Sequence, residues 1–591
     1  MRKTRIRLLS LLLAAVMLGL SLASCGNVGS LTIFKDGESK YRIVYENGNR
    51  EAGNAAERMA ADLEKAAQVV IEVTDDRTEV DKKIPEILVG RTNRGTDLEA
   101  QRTLRYGSYR VVRDKKNVYV LGAGDGVLKK ACDDFTDALL EVGGKISGKG
   151  ELLASEKQYD VDTVTLNGRA LTEHTFYIPE KSDIDFKAYL EYVEAQVISS
   201  SGFMLTVRTY TDIEEIAEKE PAVVLKKDTS LQTGGYAVTR VSDDVLHLAV
   251  GSNAAAISVA TALIERIDVK TAKTMELTLA EESGEVGKNS LVPLTGEADL
   301  RVMAFNVYGN DEHKKLMPYV TGTALAYAAD FICMQEFYDV AYSTVGKDLE
   351  AAGYSAVGTT FTEISPTALE HTEDPNAQTF TYVGSTCNTP IYYRADVWEV
   401  VESGAYLFYW MNRWHCSNTK SLAYGVFRHK TTGEQVAIIS THFPLMGDNY
   451  KTTIKDGRDY STYTDKKEGA EWRYGAALEI LKQVDALREK YPEILTVVGG
   501  DLNAQAAEKS VQTIEAHAIL SNGSVMAPAN AMDKGGSYHD YGKAPGATAT
   551  PIDHLFVTED VAAVTCHRIV ADALTVQGTD HCPIVLDISR K

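Results

Sequence analysis

In the second half of this 591-residue chain, polar residues of a restricted kind recur at the ends of apolar runs. Residues 300–305 run into Asn306, and residues 330–335 into Glu336. Residues 436–441 run into His442, and residues 495–500 into Asp501, with Asn503 two positions on. Asp553 and His554 open the run 555–557; Asp580 and His581 open the run 582–586. One Asn, Glu or His at the end of a strand is ordinarily a turn residue or a satisfied polar group. Six such ends in series suggest convergence on one place. Carboxylates and amides offer hard oxygens to a divalent cation, and an imidazole beside a carboxylate is held in one tautomer. Together they suit the hydrolysis of an ester that is itself anionic. That reaction needs charge neutralisation, an activated water and a stabilised leaving oxygen. His554 follows Asp553 on a strand, so it points to the opposite face and reads as structural. The two glycines before Asp501 suggest a tight turn that presents its carboxylate.

The order of the motifs FNVYGN, CMQEF, STHF, GGDLNA, PIDHLFV and TDHCPIVLDI resembles the endonuclease/exonuclease/phosphatase superfamily, from about Leu300 to the C-terminus. The resemblance implies a four-layered DNase I-like α/β sandwich with the site at one end. It implies metal ligation by Asn306, Glu336 and Asp580, with Mg²⁺ or Mn²⁺ as the ion. Asp553 pairs with His581, which acts on the water or grips a phosphoryl oxygen. Asp501 orients the attacking water, Asn503 donates to the transition state, and His442 donates to a non-bridging oxygen. The substrate is a phosphoester: nucleic acid, a phospholipid headgroup or a small molecule. The aromatic residues 406–414 read either as a stacking wall or as a packed strand edge, and 447–463 as a loop at the rim. Arg473 faces either phosphate or a salt bridge. Neither the signatures of inositol polyphosphate 5-phosphatases nor a dense basic groove for duplex DNA is present.

The elements carrying these residues belong to an ordinary globular composition, 44% apolar and 25% charged. A formal net charge of −21 argues against binding nucleic acid through a basic surface. Ten of the twelve histidines follow residue 296. The first half instead contains a duplication. A shift of 127 residues aligns Tyr109 with Tyr236, Arg113 with Arg240, Leu121 with Leu248 and Gly124 with Gly251. Each copy reads strand, helix, three strands, helix, with helices over 55–67 and 129–141, then 186–200 and 254–267. These units resemble the small α/β domain that precedes glycoside hydrolase barrels. They act as spacers or make a glycan contact. The latter leaves a surface glycan-binding or adhesion lipoprotein as the alternative function.

The N-terminus reads as an address. Arg2, Lys3, Arg5 and Arg7 precede a short apolar stretch that ends in Leu22-Ala23-Ser24-Cys25. This resembles a bacterial lipoprotein signal, with Cys25 lipidated and the protein held outside the cytoplasmic membrane. The expected organisation is a signal over 1–25, small α/β domains over 26–155 and 156–283, a linker over 284–298, and the sandwich over 299–591. The glycine-containing linker implies that 299–591 folds alone, and the chain is expected to be a monomer. Cys132, Cys333, Cys387, Cys416, Cys566 and Cys582 show no disulfide framework and read as buried thiols, with 387–416 the least unlikely pair.

Overall fold

The computed structural model describes residues 29–94, 99–216, 220–266, 268–271, 273–288, 290–364, 384–408, 420–444, 453–455, 458–460, 466–528, 535–540, 550–572 and 574–591. The signal segment with Cys25, the stretch 409–419 with Cys416, and most of 447–463 lie outside them. Among the described residues no helix is long and apolar enough to cross a membrane. Cys132, Cys333, Cys387, Cys566 and Cys582 are free and buried.

The first unit runs β1 (Arg42–Tyr45), α1 (Arg50–Ala67), β2 (Glu72–Asp75), β3 (Glu86–Val89), β4 (Tyr109–Asp114), β5 (Asn117–Gly122), α2 (Val127–Glu141) and β6 (Gly150–Ser155). Asn49 caps α1 by accepting from the Ala52 amide at 3.1 Å. Ala52, Ala55, Ala56, Met59 and Leu63 then bury one helical stripe against the sheet. The second unit runs β7 (Thr175–Pro179), α3 (Phe186–Ser201), β8 (Val207–Tyr210), β9 (Ala222–Lys227), β10 (Gly235–Arg240), β11 (Val245–Val250), α4 (Asn253–Glu265) and β12 (Glu282–Glu285). The sheet orders are β2-β1-β3-β5-β4-β6 and β8-β7-β9-β11-β10-β12, the same path traced twice. Each unit has two strands more than its sequence suggested. The polar strands β2 and β8 carry too little apolar signal, and the closing strands β6 and β12 lie at edges.

β12 lies where a linker was expected. Its residues 282–285 pair antiparallel with β10. Val286, Leu291 and Val292 beyond it are buried. A small, polar, glycine-containing string serves equally as an edge strand, so composition alone could not separate the two.

The sandwich comprises β13 (Leu300–Asn306), α5 (Met317–Tyr327), β14 (Phe331–Gln335), β15 (Tyr354–Val357), β16 (Ile391–Arg394), β17 (Trp398–Leu407), β18 (Ser421–His429), β19 (Gln435–His442), α6 (Lys466–Lys490), β20 (Leu495–Asp501), α7 (Lys509–Glu515), β21 (Leu520–Asn522), β22 (Asp553–Thr558), β23 (Ala562–Ile569) and β24 (Ile584–Arg590). One sheet is ordered β15-β16-β14-β13-β24-β23. The other is β17-β18-β19-β20-β22-β21, with the short strand Glu363–Ile364 outside β17. Leu300, Val302, Ala304, Phe331 and Cys333 of the first sheet meet Val436, Ile438, Val497, Leu555 and Val557 of the second in one core. The alternate residues face outwards. Met303, Phe305, Ile332 and Met334 cluster with α5, while Ala437, Ile439, Val498 and Phe556 cluster with α6 and α7. This is the α/β fold of four layers that the motif order implies.

The second unit is welded to this sandwich. α4 buries every residue from Ala255 to Ile264. One side packs on its own sheet and the other on α5, in a single apolar cluster reaching Phe305 and Met334. The Ser258 hydroxyl donates to the Gly322 carbonyl at 2.8 Å. A Cβ on Gly322 would come within 2.3 Å of Ile257 Cγ2, so only glycine permits this approach. Glu265 pairs with Arg568 of β23 at 2.7 Å, both largely buried. Against the expectation that 299–591 folds alone stands the outer face of α5, which another part of the chain covers.

The joint between the two small units is of another kind. Arg102 donates to the carbonyls of Thr172 and Glu173, and Arg105 to those of Val161 and Asp162. The Tyr106 amide donates to the Gly202 carbonyl at 2.7 Å.

Candidate active site

Strand periodicity builds the site. On β13 the residues facing the other sheet are Leu300, Val302 and Ala304, and the next in that row is Asn306. On β14 the row Phe331, Cys333 continues into Gln335, which donates to the Ser440 hydroxyl across the sandwich at 3.2 Å. On β19 the row Val436, Ile438 continues into Ser440 and His442; on β20, Leu495 and Val497 lead to Asp501. On β22, Leu555 and Val557 lead back to Asp553. The core simply turns polar at one end.

Asp501 is the hub. One carboxylate oxygen accepts from Asn306 Nδ2 at 3.0 Å and lies 3.3 Å from His442 Nε2 and 3.8 Å from His581 Nε2. The other accepts the backbone amide of Asn503 at 2.8 Å. Burial opposes its charge, yet the nearby His581, His442 and Lys420 hold its carboxyl well below the usual carboxylate range. The glycines before it make no turn; both lie within β20. A Cβ on Gly500 would sit 1.9 Å from the Thr441 carbonyl oxygen, and one on Gly499 would meet Leu555 at 2.6 Å. They let the two sheets and β19 approach closely enough to bring Asp501 beside His442.

His581 Nδ1 lies 2.8 Å from Asp553 Oδ2, as the resemblance implied. Burial lowers its proton affinity, but Asp553 and Asp501 outweigh that and push it up to about 10. The ring is an imidazolium at neutral pH, suited to gripping an anionic oxygen and not to accepting a proton from water. Asn503 Nδ2 donates to the Phe443 carbonyl at 3.0 Å and lies 3.2 Å from His442 Nε2. His554 faces away, with Nε2 2.8 Å from the Ala504 carbonyl.

Glu336 follows β14 in the left-handed region, φ 51°, and Asn503 does the same at φ 47°. Such strain is expected where a backbone is bent to aim a side chain. Glu336 Oε1 lies 3.4 Å from Asn306 Nδ2 and 3.9 Å from His442 Nε2; Tyr338 donates to Oε2 at 3.2 Å. Burial raises the Asp580 carboxyl, and the Glu336 charge raises it further against the pull of His581. Two carboxylates thus face the same space. Ligand atoms of Glu336, His442 and Asp501 also lie within 4.8 Å of one another. Mutually repelling hard oxygens of this kind fit a divalent cation. Asn306 directs its amide nitrogen to the carboxylates and its oxygen to the Tyr308 amide at 3.2 Å. It serves as an oxygen ligand only with that amide turned over.

Lys420 went unnoticed in the sequence. Its ammonium lies 2.6 Å from His442 Nε2, at the head of β18. Burial lowers its proton affinity to about 8, with Glu336 and Asp501 pulling the other way. A single lysine before an apolar run carries no sequence signal; only its place opposite His442 identifies it. Among the aromatic residues expected as a wall, Phe408 is buried against Phe443 and Tyr406 stands beside Tyr424. Both belong to packing, and 409–414 lie outside the described residues. Arg473 bonds to Glu508 at 2.5 Å.

No protein-family model and no curated protein matches the chain. Solved structures do. An endonuclease/exonuclease/phosphatase from Bacteroides vulgatus is 20% identical over 49% of this chain and 99% of its own, with a TM-score of 0.36. A mannosyl-6-phosphatase from Bacteroides thetaiotaomicron is 16% identical over 49% and 100%, with a TM-score of 0.36. The human Nocturnin catalytic domain, solved with a sulfate anion, is 16% identical over 49% and 94%, with a TM-score of 0.33.

Proposed function

We propose that residues 299–591 are a divalent-metal-dependent phosphoesterase, cleaving a phosphodiester or phosphomonoester. One observation carries the reading: a buried, ionised Asp501 on which Asn306, Asn503, His442 and His581 all converge. Asn306, Glu336 and Asp580 would hold Mg²⁺ or Mn²⁺, which supplies charge neutralisation for the phosphate. The chain's own groups do the rest. Asp501 accepts a hydrogen bond from the attacking water and so orients it. The His581 imidazolium, fixed by Asp553, binds a phosphoryl oxygen. Asn503 donates its amide to the developing charge, and His442 donates to a non-bridging oxygen. Lys420, its ammonium against the His442 ring, adds positive charge beside them. The N-terminal pattern supports a second element of the proposal: lipidation at Cys25 and an extracytoplasmic location.

The test is a panel of phosphodiesters and phosphomonoesters assayed with Mg²⁺, Mn²⁺ or EDTA. Glu336→Gln is expected to lose rate that partly returns at high Mg²⁺. Asp501→Asn is expected to lose about 10²–10⁴-fold at any Mg²⁺ concentration, because water positioning and not occupancy has failed. Activity that survives EDTA, or rescue of Asp501→Asn but not of Glu336→Gln, overturns the assignment. For the anchor, Cys25→Ala is expected to release the protein from membranes; unchanged retention overturns it.

A further inference from the structure

Tyr538 stands at the edge of this site with 45% of its surface exposed, the aromatic member of the exposed large apolar residues among those described. Its backbone is not loose. Tyr538 and His581 form an antiparallel bridge. The His539 amide donates to the Asp580 carbonyl at 2.9 Å, and the Cys582 amide to the Ser537 carbonyl at 2.6 Å. The Ser537 hydroxyl in turn accepts the amides of Ile552 and Asp553, at 3.0 and 3.1 Å. The segment 537–539 is thus pinned beside 580–582 and tied to the start of β22. The Tyr538 ring meets the His581 ring edge-on, centroids 5.3 Å apart at 73°.

An exposed aromatic ring held this firmly is preorganised. Whatever stacks on it meets no further ordering cost in the protein, and it lies one ring away from the imidazolium that grips phosphate. Its surroundings restrict what stacks there. Beyond Asp580, which the proposed cation would take up, Asp540 is the further charge that its hydroxyl feels. A carboxylate beside an aromatic face repels further phosphates and tolerates neutral hydroxyl groups. A polyanion is disfavoured on this side; a neutral, hydroxyl-bearing ring suits it.

We infer that Tyr538 is a specificity platform for the alcohol part of the substrate, and that this part is a sugar ring carrying the phosphate. The inference rests on the phosphoesterase reading and deepens it. It also relocates the stacking surface, from the aromatic run at 406–414 to a residue between Asn503 and Asp553.

The test compares glucose 6-phosphate with ethyl phosphate, the same class of primary ester without a ring. For Tyr538→Ala the ratio of kcat/KM between the two esters is expected to fall about 10-fold, through KM of the sugar ester. Tyr538→Phe and Tyr538→Trp are expected to keep the ratio within about 2-fold, because both retain a stacking face. Equal losses on both esters overturn the inference, since Tyr538 then merely supports His581. A better rate on adenosine 5′-monophosphate or an oligodeoxynucleotide, with the Tyr538→Ala loss confined to it, overturns the sugar in favour of a base. A binding measurement separates this inference from the catalytic reading. Titration of glucose 6-phosphate into Asp501→Asn protein is expected to show binding, weakened about 10-fold when Tyr538→Ala is added. That result upholds the platform even if no ester is hydrolysed, and no detectable binding overturns it.

Discussion

The two small units follow the same chain path, yet one ends in solvent and the other inside the molecule. Their last helices show why. Under the shift of 127, Lys129, Lys130, Asp133, Asp134 and Asp137 of α2 correspond to Ala256, Ile257, Ala260, Thr261 and Ile264 of α4. α2 keeps one apolar stripe, with Leu128, Ala131, Cys132, Phe135 and Leu139 buried, and turns its charges outwards. α4 has no such outer face; it is apolar all round and buries both sides. Topology did not decide which unit became part of the sandwich. Five side chains on one helix face did, and each large one removed from water contributes about 1.5–3 kcal/mol.

The largest expected effect comes from cutting the chain at its two joints. A protein beginning at residue 156 is expected to be soluble and cooperative, with kcat/KM within about 2-fold of the whole chain. One beginning at residue 299 exposes the α5 face and is expected to aggregate or melt without cooperativity. Size-exclusion chromatography and calorimetry distinguish them, and a soluble, active 299–591 breaks the comparison. Next come reciprocal substitutions at equivalent positions. Ala260→Asp places an unpaired charge against α5 and is expected to cost about 3–5 kcal/mol. Asp133→Ala loses solvent-exposed pairs with Lys129 and Arg58 and is expected to cost no more than about 1 kcal/mol. Chemical denaturation of both variants reads the difference; similar costs would mean that the helix faces are not what distinguishes the units. Between these two costs lies Glu265→Gln, which leaves Arg568 buried without its carboxylate. Its expected cost is on the order of 3 kcal/mol in unfolding of the sandwich, with no shift in the transition of the first unit.

The smallest expected effect is in pH dependence. His581 has a folded proton affinity of about 10 against about 6.5 in an unfolded chain. Its contribution is therefore complete below pH 6.5 and is lost as pH rises from there towards 10. Residues 26–155 contain no histidine. Calorimetry between pH 6.5 and 8, below the range in which the lowered Lys420 contributes with the opposite sign, is expected to lower the sandwich transition with rising pH and to leave that of the first unit in place. A first-unit transition that moves in parallel would show that the two regions unfold as one.

The strand ends were legible because a period of two needs only apolar alternation and a polar terminus, and Asn306, His442, Asp501 and Asp553 each complete such a row. The duplication was legible for the same reason, since its aligned residues are strand residues. Other features lacked a local signature. Lys420 matters through what lies across the sheet from it. The Gly499–Gly500 pair reads like a turn until the Thr441 carbonyl is placed beside it. The apolar circumference of α4 was visible in Asn253–Glu265 itself, but its meaning requires a partner 60 residues further along the chain. Tyr538 becomes conspicuous only once its segment is laid against His581.

The joint between the first and second units has a consequence for how such a molecule changes over generations. Arg102, Arg105 and the Tyr106 amide grip main-chain carbonyls, and every residue type presents the same carbonyl. At Asp162, Thr172 and Glu173 the receiving surface is therefore free to drift in side-chain identity, whereas Val161 is buried and a Cβ on Gly202 would meet the Tyr159 ring at 2.3 Å. The donating side is not free, because losing either arginine removes two contacts at once. Inheritance at this joint is uneven: the outer unit must present its two guanidinium groups at the same spacing, while the inner unit must keep its backbone path and the Phe203 ring, whose centroid lies 4.6 Å from the Arg105 guanidinium.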